Sequence, residues 1–187
     1  KDAFIYVPEG IEVDYSKIEE RILVDKNVLI PYLDNITKTN PQRLLSFIAE
    51  NEEYLQDEIV LNIYIETQIS ENHNVDLYSE QLVEKNKNNS VISFLTYTYV
   101  RQIKDGHVDN ELLNELLNYF NDDIAHDILI LKAMHLLSKN GRPKDFIELS
   151  LKYKDRNSLI IKDTLELILE DKNVYLIDFE KYLKEID

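Results

Sequence analysis

The chain has 187 residues, no cysteine and a formal net charge of −15, with 36 acidic residues against 21 basic ones. Its length allows roughly 70% of the unfolded surface to be buried in a core without staples, and the missing thiols exclude disulfides, thiolate nucleophiles and cysteine metal sites. The negative field repels phosphate backbones, so nucleic acid is not an expected ligand and a basic partner is electrostatically easier. With three Gly and four Pro, little of the sequence suits tight turns or β-hairpins, which points to helices joined by short polar connectors. No run of about 18 apolar residues and no basic-then-apolar leader occurs, so neither a membrane span nor a signal peptide is expected. Beginning at Lys1, the sequence reads as a domain excised from a larger protein, with a reducing cytosol as the expected compartment.

Residues 1–13, where Phe4-Ile5-Tyr6-Val7 runs into Pro8-Glu9-Gly10, read as an extended lead-in or short strand closed by a turn. From Asp14 the pattern is helical, and Ser16 three residues before Glu19 suggests a capping box. A second short helix is expected from Asn27, with Pro31 kinking it or marking its first turn. Residues 1–39 thus form a lead-in with degenerate capping helices, ahead of a helical domain over 40–187. Asn40-Pro41 is an N-cap followed by proline at the first helical position. It opens a helix to Glu50, and a second helix is predicted from Glu52 or Glu53 to Ser70. Further pairs are predicted at 75–86 and 90–105, at 109–121 and 122–139, and at 143–154 and 158–171. Gly106 and Asn140-Gly141 supply C-cap signals. An amphipathic helix from Val174 to Ile186 would close the end.

These pairs follow a repeat. Apolar residues recur every 34 positions, as Leu44, Tyr78, Leu112 and Phe146, as Ala49, Val83, Leu117 and Leu151, as Ile63, Tyr97, Leu131 and Leu165, and as Ile65, Tyr99, Ala133 and Leu167. Such a period marks stacked supersecondary units, each too small to bury its own apolar face. The repeats span 40–73, 74–107, 108–141 and 142–175, and Leu44, Leu112, Ile63, Leu131 and Leu165 are expected in equivalent buried environments. A helix-turn-helix unit of this period resembles the tetratricopeptide repeat family over 40–175. The family's small helix-A position holds Ile48, Leu82, Leu116 and Ser150 here, and its closing-proline position holds Asn72, Gly106, Asn140 and Val174. The resemblance implies an all-α, right-handed superhelix of about four stacked hairpins with a C-terminal capping helix, acting as a protein–protein scaffold. Bulky residues at the small positions imply wider helix spacing than in standard repeats.

The most enzyme-like string is Asp122-Asp123-Ile124-Ala125-His126-Asp127. Its His126-Asp127 pair resembles that of metal-dependent HD phosphohydrolases, with His107 and Asp163 available for the remaining ligand roles. The competing reading, adopted here, places Asp122 and Asp123 in a helical first turn, where carboxylates meet free N–H groups, and pairs His126 with Asp122. His73 and His107 lie one repeat apart, ~10 Å by usual helix packing distances, too far to share a metal. No Walker-type loop, GxGxxG, GxSxG, HExxH or EF-hand string occurs. The segment is therefore expected to be non-catalytic, with no metal and no cofactor.

Binding candidates are of three kinds. Asn110, Asn114 and Asn118 form an i, i+4, i+8 stripe whose carboxamides both donate and accept, suited to a peptide backbone in an inner groove. Tyr64, Tyr119 and Phe120 lie off the repeat columns and are candidate aromatic anchors for a partner. Residues 40–73 carry one Arg against seven acids, and Glu52, Glu53 and Glu58 lead the candidate acidic docking surface. Lys139, Arg142, Lys144, Lys152, Lys154 and Arg156 form the one locally basic region, interleaved with acids as for intrahelical pairing. The function expected is a non-catalytic scaffold for a protein or peptide, of basic character. The alternatives are a regulatory or sensing module attached to a catalytic or DNA-binding domain, and an HD-like hydrolase.

Overall fold

Short polar side chains set where the helices begin. The computed structural model describes residues 14–24, 26–120 and 127–153, and these form nine α-helices and no strand. The helices are α1 (Tyr15–Val24), α2 (Leu29–Thr39), α3 (Pro41–Glu50), α4 (Glu58–Asn72) and α5 (Leu77–Asn86). They continue as α6 (Val91–Asp105), α7 (Asn110–Asn118), α8 (Asp127–Lys139) and α9 (Pro143–Tyr153). At α3, α5, α6 and α7 the caps are Asn40, Asp76, Ser90 and Asp109, each accepting the backbone N–H three residues on at 2.8–3.2 Å. Each satisfies a donor that the first helical turn leaves without an intrahelical partner. Residues 1–13 and 154–187, which include the expected second helix of the fourth pair and the closing helix, lie outside the described residues.

Two starts differ from the sequence reading. The helix predicted from Glu52 or Glu53 begins at Glu58, because Asp57 caps it with one carboxylate oxygen that accepts from Ile59 and Val60 at 2.9 and 3.2 Å. Residues Glu52–Gln56 form a 3-10 turn ahead of it that buries Tyr54 and Leu55. The box expected at Ser16 and Glu19 is replaced by a Ser16 Oγ bond to Asp14 at 2.5 Å, while Glu19 turns inward to Tyr32 and Arg43. Pro31 falls in the first turn of α2, where a missing N–H costs nothing.

Left-handed residues end three of the described helices. His73 caps α4 at φ 53° and Gly106 caps α6 at φ 76°. After α8, Gly141 at φ 67° lets its own N–H reach the Ser138 carbonyl and lets the Arg142 N–H reach Leu137, the paired bonds of a Schellman turn.

The protein divides into two compact units, up to Val75 and from Asp76. In the first, α2 packs on α3 and on α4, and α3 packs on α4. Residues 29–39 thus share a core with 40–75. Its centre is Phe47, which meets Tyr32 edge-on at 5.5 Å and stacks on Tyr54 at 6.1 Å. In the second unit α5 packs on α6, α6 on both α7 and α8, α7 on α8, and α8 on α9. These contacts converge on a core that includes Phe94, Leu116, Phe120, Met134 and Phe146.

Burial among the expected columns is uneven: Ile65, Val83 and Ala133 are buried, Tyr99, Leu117 and Leu151 are half-buried, and Ala49 is exposed. Ile48, Leu82, Leu116 and Ser150 are all buried, as are Leu61, Leu95 and Leu129. In the column headed by Leu44, Leu44 and Phe146 are fully buried, but Leu112 is only half-buried and Tyr78 is 41% exposed. Ile63, Tyr97 and Leu131 share one environment, a half-buried one. Side-chain size alone does not mark the covered turn: at Tyr78 the residue four positions along, Leu82, faces the same way one turn later and is the one that is buried.

Truncating Leu116 to Ala should lower the unfolding free energy by about 2–5 kcal/mol, as for other large-to-small changes in packed cores. Tyr78→Ala should stay within about 0.5 kcal/mol, as at exposed sites. Urea denaturation followed by circular dichroism separates the two, and equal losses would contradict the burial of Leu116 and the exposure of Tyr78.

Candidate functional site

The asparagine stripe of α7 is positioned by its neighbours at both ends. Asp109 starts the helix, so Asn110, Asn114 and Asn118 fall on successive turns of one face, and all three are exposed. The Schellman turn at Gly141 delivers Arg142 to that face just before α9. Its Nη1 donates to Asn110 Oδ1 at 3.2 Å and its Nη2 to Asn114 Oδ1 at 2.8 Å. Its Nε pairs with Asp145. Arginine has only donors, so both carboxamides must turn their oxygens toward it. Their Nδ2 groups then face away from the guanidinium, and Asp145 offsets its charge. The result is two oriented N–H donor groups one helical turn apart, about 6 Å along the axis. Same-side carbonyls of an extended peptide repeat at about 6.7 Å, a close match.

Arg142 belongs to this site although sequence reasoning assigns it to charge pairing. The pairing with Asp145 is present, and Lys144 pairs with Glu148 at 3.8 Å. Arg142 follows Asn110 by 32 residues and Asn114 by 28, separations at which no local sequence pattern pairs them.

The candidate aromatics sit elsewhere. Tyr64 is 8% exposed and Phe120 only 1%, so both are core side chains and not groove-edge anchors. Tyr119 is half-buried with its ring 4.8 Å from Phe94. The end of α7 is itself closed off, because the Phe120 carbonyl accepts from Tyr153 Oη at 2.9 Å and from Lys152 Nζ at 2.5 Å. Tyr119 and Phe120 lie off the expected columns because they pack into the core that α6, α7, α8 and α9 share.

Of the acidic candidates, Glu52 and Glu53 are exposed in the 3-10 turn and Glu58 is half-buried at the start of α4. With Glu50 and Asp57 they gather at the α3–α4 connection of the first unit. Of these, Asp57 meets the N–H groups opening α4, where the helix dipole favours an ionised carboxylate.

His107 borders an open depression of about 370 Å³ with Arg101, Asp105, Val108, Asp109 and Leu112. The charged groups in it already have partners: Arg101 pairs with Asp105 at 2.6 Å and Asp109 caps α7. Among the described residues no group of three His, Asp or Glu side chains is placed to hold a metal ion. Residues 121–126, the Asp127 side chain and Asp163, which make up the rest of the HD-like string and its proposed ligands, lie outside the described residues.

One cluster had no sequence signal. Glu19 on α1, buried to 8% exposure, accepts from Tyr32 Oη at 2.5 Å and from Arg43 Nε at 2.8 Å, and its second oxygen pairs with Arg43 Nη2. Three helices are thereby tied by one carboxylate, across separations of 13 and 24 residues. Glu19 holds the Arg43 guanidinium protonated above its ordinary range. Burial, followed by the hydrogen bond to Glu19, pushes the Tyr32 phenol well above its usual value.

No family model, curated protein or solved structure matches this sequence. Among the described residues no helix is long and apolar enough to cross a membrane.

The raised phenol carries a pH signature. With its folded pKa above the unfolded value near 10, Tyr32 contributes stability that is complete below about pH 10 and is lost as pH climbs above it. The stability advantage of the parent over Tyr32→Phe should therefore be constant between pH 7 and 9 and shrink at higher pH. Urea midpoints for the two proteins, taken across that range, check it. A gap that stays constant into strong alkali would mean that Tyr32 ionises as freely as in the unfolded state.

Proposed function

We propose that this protein is a non-catalytic helical-repeat module, a superhelix of stacked hairpins that binds a peptide in extended form. The α7 face bearing Asn110 and Asn114 takes the peptide backbone. The observation that carries the reading is the orientation of these two carboxamides by Arg142. Surface asparagines are ordinarily free to turn either edge outward, and a pair held with the donor edge outward suits carbonyl acceptors in series. Backbone recognition of this kind is tolerant of sequence, as expected of a scaffold, and side-chain selectivity comes from neighbouring surfaces.

Two further observations support it. Buried positions recur at 34 residues, as in Ile48, Leu82, Leu116 and Ser150, and the successive packing of α5 on α6, α6 on α7 and α8, and α8 on α9 is that of hairpins added one after another. Both accord with the resemblance to tetratricopeptide repeats, whose role as protein scaffolds comes with it. The acids at the α3–α4 connection bias the partner toward basic character by raising its encounter rate.

A phage-displayed peptide library panned on the full-length protein should yield binders. Asn110→Ala with Asn114→Ala should weaken the selected peptides by about tenfold, as for two net hydrogen bonds of ~0.5–1.5 kcal/mol each. For basic peptides, Glu52→Gln with Glu53→Gln and Glu58→Gln should slow association at low salt, with the difference gone near 1 M ionic strength, where the screening length is ~3 Å. An empty selection, or equal affinity in the double-alanine protein, would contradict the assigned face.

A further inference from the structure

Asn140-Gly141 is the one Asn-Gly pair in the sequence, and it lies at a junction where the fold controls its chemistry. In this dipeptide the deprotonated backbone nitrogen of glycine attacks the carboxamide carbon of the asparagine. A C–N bond closes a five-membered succinimide, the C–N bond of the carboxamide breaks, and its nitrogen leaves as ammonia with the proton given up by the glycine amide. Water then opens the ring at either carbonyl, giving aspartate or isoaspartate. Glycine favours the attack because it has no Cβ to crowd its nitrogen.

Here every group needed for that step is held. The Asn140 Nδ2 donates to Gln102 Oε1 at 2.6 Å and to the Leu136 carbonyl at 2.8 Å, and its Oδ1 accepts the Val108 N–H at 2.7 Å. The nucleophile is also occupied, since the Gly141 N–H donates to the Ser138 carbonyl at 3.2 Å. To reach the carboxamide carbon, Gly141 must leave its turn and Asn140 must release α6 and the 106–108 connection together.

We propose that Asn140 is a deamidation site gated by opening of the last turn of α8, and that its conversion keeps the turn from closing again. The product explains the second part. A carboxylate has no donor for Gln102 Oε1 or for the Leu136 carbonyl, and it places a negative charge at the C-terminal end of α8, where the helix dipole opposes it. Isoaspartate also lengthens the backbone within the Schellman turn. Because Arg142 follows directly, the same event loosens the guanidinium from Asn110 and Asn114. Conversion at Asn140 does not depend on whether a peptide binds at α7.

The test incubates the full-length protein in mildly alkaline buffer beside a synthetic peptide spanning residues 136–145, reading conversion at Asn140 by peptide mass spectrometry with isoaspartate resolved. The folded protein should convert about tenfold or more slowly than the peptide, as a step that requires local opening must. Gln102→Ala, which removes one acceptor and leaves the dipeptide intact, should convert faster than the parent. In Asn140→Asp, hydrogen exchange at Val108 and over 137–142 should quicken relative to the parent. Equal rates in protein and peptide, or in Gln102→Ala and parent, would overturn the gating. Unchanged exchange in Asn140→Asp would overturn the claim that the product holds the turn open.

Discussion

No described helix in this protein is long enough to stand alone. The longest, α4 and α6, have 15 residues each, and helices of about that length are marginal in water even with favourable sequences. Each must therefore be held by burial of its apolar face against a neighbour. In the second unit that burial is shared: Phe94 from α6, Leu116 from α7, Met134 from α8 and Phe146 from α9 are all fully enclosed by the others. The caps, the turns and the exposed stripe on α7 exist only because this mutual covering fixes the helices that carry them.

Apolar burial sets adjacency, and polar contacts refine it. Asn140 joins the ends of α6 and α8 by binding Gln102 and the Val108 amide, and Tyr153 and Lys152 close the end of α7 from α9. In the first unit Glu19 ties α1, α2 and α3 through Tyr32 and Arg43. Directional bonds between buried groups penalise sliding of one helix along another, because a slip leaves a donor or acceptor unmatched in a low-dielectric interior. The orientation of Asn110 and Asn114 is the same principle at the surface, where a cation with donors alone leaves the carboxamides one arrangement.

What could be read from the sequence was local. Asn40-Pro41, Gly106 and Asn140-Gly141 mark their helix ends correctly because a cap depends on three or four consecutive residues. The expected columns did not say which of their members would be buried. Tyr78 shares a column with Leu44 and still faces solvent, while Leu82, one turn on, is covered. Glu19 satisfies a capping-box spacing and instead serves partners 13 and 24 residues away; no local pattern encodes such a contact. Tyr64 and Phe120 stand out as anchors for being off the columns, yet they are buried, because adjoining helices offer a second packing face that one column does not describe. The Asn stripe was visible as spacing alone, and the side chain that orients it comes from the next helix pair.

The dependence of each helix on its neighbours can be measured directly by native-state hydrogen exchange on the full-length protein, comparing the parent with Phe94→Leu. Phe94 is fully buried on α6 and meets Tyr119 at the end of α7 at 4.8 Å. If mutual burial is what holds these short helices, protection should fall together in α6, α7 and α8, as in one cooperative unit. Loss of protection confined to α6, with α7 and α8 unchanged, would show that the helices are stable on their own and would contradict the account.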